Sequence, residues 1–151
     1  HMTTLFPEVR LKRFLEMRGA DGGPWRRLCA LPALWVGLLY DSAALDAAYA
    51  LIGDWTPEEH RMLRRETPRR AMHTPFRDHT LREVAAEVLE IAHAGLRARA
   101  RLDRVGDNET GFLSILDEIV RRGYCPAEHK LERYHEAWNR TVDPVFREFA
   151  Y

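Results

Sequence analysis

Glu16 and Arg18 stand two residues apart in the stretch Val9 to Arg18, where Val9, Leu11, Leu15 and Met17 fall on one parity. That alternation predicts a strand, and residues two apart in a strand share a face. Glu16 and Arg18 therefore project together, with Lys12, Arg10 and Phe14 on the same parity. A carboxylate beside a guanidinium suits a site that handles a divalent cation and a phosphate, since the first offers hard oxygen ligands and the second a planar fork for phosphate oxygens. The same two charges also make an ordinary solvated ion pair, a contact that contributes little. Spacing alone leaves both readings open.

The elements that position these residues follow from the pattern around them. Val9 to Arg18 is the one strand that the sequence predicts, and a lone strand leaves its backbone donors and acceptors unpaired. It must therefore pair with something beyond it, whether a further part of a larger protein or a second copy. The turn Gly19–Gly23, carrying Asp21, ends it, and Pro24 is placed to open a helix. Trp25, Leu28, Leu31, Leu34, Trp35, Leu38 and Leu39 recur at helical spacing, with Pro32 expected to kink or interrupt them. Asp41-Ser42 caps a helix of small residues from Ala43 to Ile52, which Gly53 ends. Thr56-Pro57-Glu58-Glu59 starts the next helix, expected to run to Glu66 and stop before Pro68. Residues 67–79 read as a loop. Thr80 caps the longest helix, Leu81 to Arg104, with Val84, Val88, Ile91, Ala92 and Leu96 as its apolar stripe. Phe112 to Val120 forms another helical face ended by Gly123, Pro126 opens a helix with Leu131, Tyr134 and Trp138 inward, and a short helix follows Pro144. The expected fold is mainly α: one N-terminal strand and then about seven helices.

Composition narrows the functional classes. Among 151 residues, 23 basic and 23 acidic side chains balance, so no global field draws the chain to nucleic acid or an anionic membrane. The clusters Arg64-Arg65, Arg69-Arg70 and Arg97–Arg104 read as solvated helix faces. The most apolar run, Leu28 to Tyr40, is too short to span a bilayer. Two cysteines, Cys29 and Cys125, do not make a disulfide framework, and a cytoplasmic location is the expectation. The histidines lack the pairing of a zinc site.

The longer string Phe6 to Asp41, with Trp25, Cys29, Pro32 and Gly37 in register, closely resembles a segment of glutamate–cysteine ligases of the plant and proteobacterial type. The likeness continues through Asp54-Trp55-Thr56-Pro57-Glu58-Glu59, Tyr134-His135-Glu136-Ala137-Trp138 and Pro144 to Tyr151. The resemblance implies an ATP-dependent ligase that joins the γ-carboxylate of glutamate to the amine of cysteine through a γ-glutamyl phosphate, the first step of glutathione biosynthesis. It further implies that Glu16 is a Mg²⁺ ligand, that Arg18 holds the transferring phosphoryl group, and that Lys12 and Arg10 add positive charge toward the nucleotide. Asp21 is implied in a supporting or substrate-contacting role. The family's chains are much longer, so the resemblance makes this the C-terminal portion of an α+β enzyme. Residues 1–23 would then belong to an antiparallel catalytic sheet and residues 24–151 to a helical region. Its substrates would be glutamate, cysteine and ATP, and the portion alone would be inactive without the missing N-terminal part. The resemblance also implies that the region of Cys29 can take part in a disulfide with an upstream segment.

A non-catalytic helical module that docks on a partner through its exposed strand is the alternative. Self-association through that strand is a further expectation, because the apolar surface meant for the missing part would be bare.

Overall fold

The computed structural model describes residues 8–20 and 22–150, so Asp21 lies outside the described residues. Within them the chain is mainly helical, as the periodicity predicts. Seven α-helices are present: α1 (Trp25–Leu39), α2 (Ser42–Ile52), α3 (Pro57–Arg70), α4 (Leu81–Arg99), α5 (Ser114–Arg122), α6 (Pro126–Glu136) and α7 (Val145–Glu148). Two antiparallel hairpins accompany them, β1 (Val9–Leu11) with β2 (Leu15–Met17), and β3 (Pro75–Phe76) with β4 (His79–Thr80).

The centre of the molecule is the crossing of α1 over α4. Ala33, Leu38, Ala92, Leu96 and Leu113 form the buried cluster, and Leu34, Trp35, Val36, Ala48, Val88, Ile91 and Leu116 pack around it. Small residues let the two helices approach, and Gly37 and Gly95 sit where the backbones are nearest. The helix starts follow local chemistry. Asp41 accepts from the Ala44 backbone N–H at 2.9 Å. Thr56 and Glu59, and again Thr80 and Glu83, form reciprocal capping boxes that satisfy amide donors left open at a helix start. No single described helix is long and apolar enough to cross a membrane; α1 and α2 together have the composition, but they are bent by 93° and both pack on α4.

Four expectations are corrected. First, the single strand from Val9 to Arg18 is a hairpin, bent at Lys12–Phe14, with Val9 opposite Met17, Arg10 opposite Glu16 and Leu11 opposite Leu15. The backbone groups of a lone strand thus find partners within the chain, although among the described residues each strand keeps one open edge. Second, α3 runs through Pro68 to Arg70. Proline removes one backbone donor, and two residues from the helix end that loss is confined to the last turn. Third, residues 67–79 are not a loop: the end of α3, a 3₁₀ turn at Ala71–His73 and the β3–β4 hairpin occupy them. Phe76, 3% exposed, lies under Trp55 with ring centroids 4.6 Å apart. Fourth, α4 stops at Arg99, where Ala100 turns left-handed with φ 50°. The following loop is closed by Asp103, whose carboxylate accepts from the backbone N–H groups of Val105 and Asp107. Pro32 lies inside α1 without ending it.

Candidate active-site hairpin

The β1–β2 hairpin is amphipathic by register. Residues directly opposite each other share a face, so Val9, Leu11, Leu15 and Met17 make an apolar face while Arg10 and Glu16 lie on the other. The ladder extends one rung beyond the strands, with the Arg18 backbone N–H donating to the Glu8 carbonyl at 2.8 Å. Glu8 and Arg18 therefore join Arg10 and Glu16 on the charged face. Most of the apolar face is exposed, with Leu11 at 79% and Leu15 at 59%, while Met17 is partly buried.

The charged face gathers what the sequence pattern expected, by a different route. Arg10 Nε donates to Glu16 Oε2 at 2.6 Å, and Lys12 Nζ stands 3.8 Å from the same oxygen. Parity along one strand predicted that Arg10, Lys12 and Glu16 would share a face, but the fold brings Arg10 against Glu16 across the strand pair. Arg10 is the residue most underweighted by spacing alone, because a hairpin with no Gly-rich turn leaves little signal in the sequence. The solvated ion pair is present too, made with Arg10. The hydrogen bond from Arg10 holds the Glu16 carboxyl below its usual range, outweighing partial desolvation, and the charges of Arg10, Lys12 and Arg18 act in the same direction. Glu16 is thus ionised at neutral pH, as a metal ligand must be. Arg18 is half-buried, and Glu16 keeps 31% of its side chain exposed.

The donor set can be tested against Mg²⁺. This ion is usually held by one or two carboxylates together with substrate phosphates and water, not by a cage of protein ligands. Among the described residues no group of three or more His, Cys, Asp or Glu side chains could hold a metal, so a protein-only site is not what the hairpin offers. Glu16 fits as one carboxylate of a shared site. Among the described contacts both cations fall on Oε2, which leaves Oε1 as the oxygen to present to a cation.

His93 Nε2 meets the Asp117 carboxylate at 3.0 Å between α4 and α5. Arg26 and Arg27 line a cleft of about 580 Å³ with Arg122, Tyr124, His129 and Phe149. Cys29 and Cys125 are both free thiols and partly buried.

Comparison with known proteins gives this geometry a family. A model described as glutamate–cysteine ligase family 2 matches residues 1–148. The chloroplastic glutamate–cysteine ligase of Arabidopsis thaliana is 58% identical over the whole chain, and that of Nicotiana tabacum 56%. The chloroplastic glutamate–cysteine ligase A of Oryza sativa subsp. indica is 54% identical, again over the whole chain. The chain spans 28% of the length of the first two relatives and 30% of the third, and it corresponds to their C-terminal portion. The relatives' names correct one expectation: they are chloroplastic, not cytoplasmic. A low cysteine count does not distinguish the two compartments. With a family model covering nearly every residue and a charged hairpin built around Glu16 and Arg18, the chain belongs to the glutamate–cysteine ligase family.

Proposed function

We propose that this chain is the C-terminal portion of an ATP-dependent glutamate–cysteine ligase, and that its β1–β2 hairpin is part of the catalytic sheet. The observation that carries the reading is the convergence of Arg10, Lys12, Glu16 and Arg18 on one face of that hairpin, in a chain that matches the family throughout.

A carboxylate is a poor acyl donor, because its leaving group would be an oxide. In the proposed reaction the γ-carboxylate oxygen of glutamate attacks the terminal phosphorus of ATP, ADP leaves, and a γ-glutamyl phosphate forms. The cysteine amine then attacks the acyl carbon, phosphate departs with the bonding electrons, the amine loses a proton to solvent, and an amide remains. Such transfers depend on neutralising phosphoryl charge and aligning the reactants.

Arg18 holds the phosphoryl oxygens in flight, a task that suits its planar fork better than a lysine. Lys12 adds a point charge toward the nucleotide phosphates. Glu16 is the carboxylate that this chain offers to Mg²⁺, and Arg10 keeps it ionised and oriented. When bound, the ion would neutralise nucleotide phosphate charge. Residues 24–151 are proposed as the helical region of that portion. Asp21 is proposed in a supporting role.

In this reading the rest of the sheet comes from the N-terminal portion of the protein, and the exposure of Leu11 and Leu15 on the hairpin's apolar face supports it. A site needs its complete set of contacts, so the isolated portion is inactive. The test is product formation by the full-length protein with ATP, Mg²⁺, glutamate and cysteine, each omitted in turn. γ-Glutamylcysteine appearing only when all four are present is the expected result, and its absence with all four supplied contradicts the proposal.

A further inference from the structure

The hairpin that carries Glu16 and Arg18 has no more than glancing contact with any helix among the described residues. An ionic tie joins it to the helical body: Arg64 on α3 meets Glu8 at 3.1 Å. Glu8 is also the residue whose carbonyl accepts from the Arg18 backbone N–H at 2.8 Å. A continuous path thus runs from the Arg64 guanidinium through the Glu8 carboxylate, the Glu8 backbone and the last rung of the ladder to the backbone of Arg18.

We propose that Arg64 and Glu8 form a strut between α3 and the hairpin and act as positioning residues for Arg18. This rests on the reading of Arg18 as the phosphoryl-holding residue. Both partners are largely exposed, at 75% and 62%, so their pair contributes little to global stability. Its effect is local. The rung that it anchors lies beyond the strand residues of β1 and β2, at the end of the ladder among the described residues. Fixing Glu8 against α3 limits the fraying of that rung and with it the spread of positions open to the Arg18 side chain. Misplacing a group that acts in the transition state lowers turnover more than it weakens nucleotide binding.

The test uses the full-length enzyme carrying Arg64→Ala, Glu8→Gln, both together, and the exchanged pair Glu8→Arg with Arg64→Glu, beside Arg18→Ala. Each single change is expected to lower kcat on the order of threefold, the scale of an exposed ion pair's coupling, with KM for ATP nearly unchanged. The double variant should fall no further than either single one, and the exchanged pair should recover most of the loss. A role in folding alone would lower the melting temperature, and charge exchange would not restore turnover. Arg64→Ala with wild-type kcat, or a double variant showing the product of two independent losses, overturns the strut while leaving Arg18 in its role. Arg18→Ala with wild-type turnover overturns the site reading and the strut together.

Discussion

Gly37 and Gly95 meet backbone to backbone where α1 crosses α4. A Cβ built on Gly95 would overlap the Gly37 carbonyl oxygen and stand 2.9 Å from the Ala44 Cβ, and one built on Gly37 would run into the backbone of Ala92. The atoms in the way are mostly backbone, which cannot swing aside. Gly95→Ala gains about 1 kcal/mol of helix propensity and incurs about 1–3 kcal/mol of overpacking, at the upper end here because two helices must separate. We expect a net loss of stability and a lower melting temperature. Gly111→Ala, where nothing lies within 4 Å of the added carbon, is the control and should melt like the wild type. Equal melting of all three chains would contradict the close crossing.

Arg82 ties the N-terminal end of α4 to the far end of α5. Its Nε donates to the Val120 carbonyl at 2.6 Å, and its outer nitrogen donates to the Arg121 carbonyl. Carbonyls at a helix C-terminus have no partner within the helix, and a cation there also complements the dipole. Arg82→Ala should lower stability by about 1–2 kcal/mol, from losing two charge-assisted bonds at an exposed site. Lysine lacks the fork and should restore less than half. A denaturant midpoint unchanged in Arg82→Ala would refute the cap.

Acid should loosen the corner between α2 and α3. Arg77, at a left-handed φ of 52°, places its guanidinium on both Asp54 and Glu59, with Nε 2.7 Å from Glu59 Oε1. The Arg77 hydrogen bond and the Thr56 backbone bond hold Glu59 at about 2, against an ordinary 4.5. A depressed carboxyl pKa adds stability that is complete above about 4.5 and lost as pH falls toward about 2. Arg77→Ala should raise the Glu59 pKa part of the way, because the bonds that the Thr56 backbone N–H and hydroxyl donate to its carboxylate remain, and should move acid unfolding to higher pH. Carboxyl titration by NMR reads this directly, and an unmoved Glu59 would contradict it.

The same logic applies at the hairpin. Arg10 is the first cause of the lowered Glu16 pKa, so Arg10→Ala should return Glu16 toward the ordinary carboxylate range. Leu11→Ser on the opposite face should leave it unchanged. A Glu16 titration identical in wild type and Arg10→Ala would mean that the cross-strand pair does not form in solution.

Helices were far more legible in the sequence than strands. Thr56, Thr80, Asp41 and Gly123 announce helix ends through side-chain and backbone chemistry that acts within four residues, and the ends they mark appear where expected. The hairpins were not legible, because β3 and β4 are two residues each and the turns of both lack glycine. Arg77 takes the left-handed position through ion pairs to Asp54 and Glu59, which lie 23 and 18 residues away. Such long-range support has no local signature. At the candidate site, parity grouped Lys12, Glu16 and Arg18 correctly, while the dominant Arg10–Glu16 contact and the Glu8–Arg64 tie depend on a fold-back that parity does not contain.

The central claim is that the hairpin's guanidinium carries the ligase chemistry. The most direct measurement compares γ-glutamylcysteine formation by the full-length protein and its Arg18→Ala variant at saturating ATP, Mg²⁺, glutamate and cysteine. A loss of about a hundredfold or more in kcat, as removal of a transition-state hydrogen-bond donor typically gives, is the predicted result. Equal turnover by the two proteins would contradict the account.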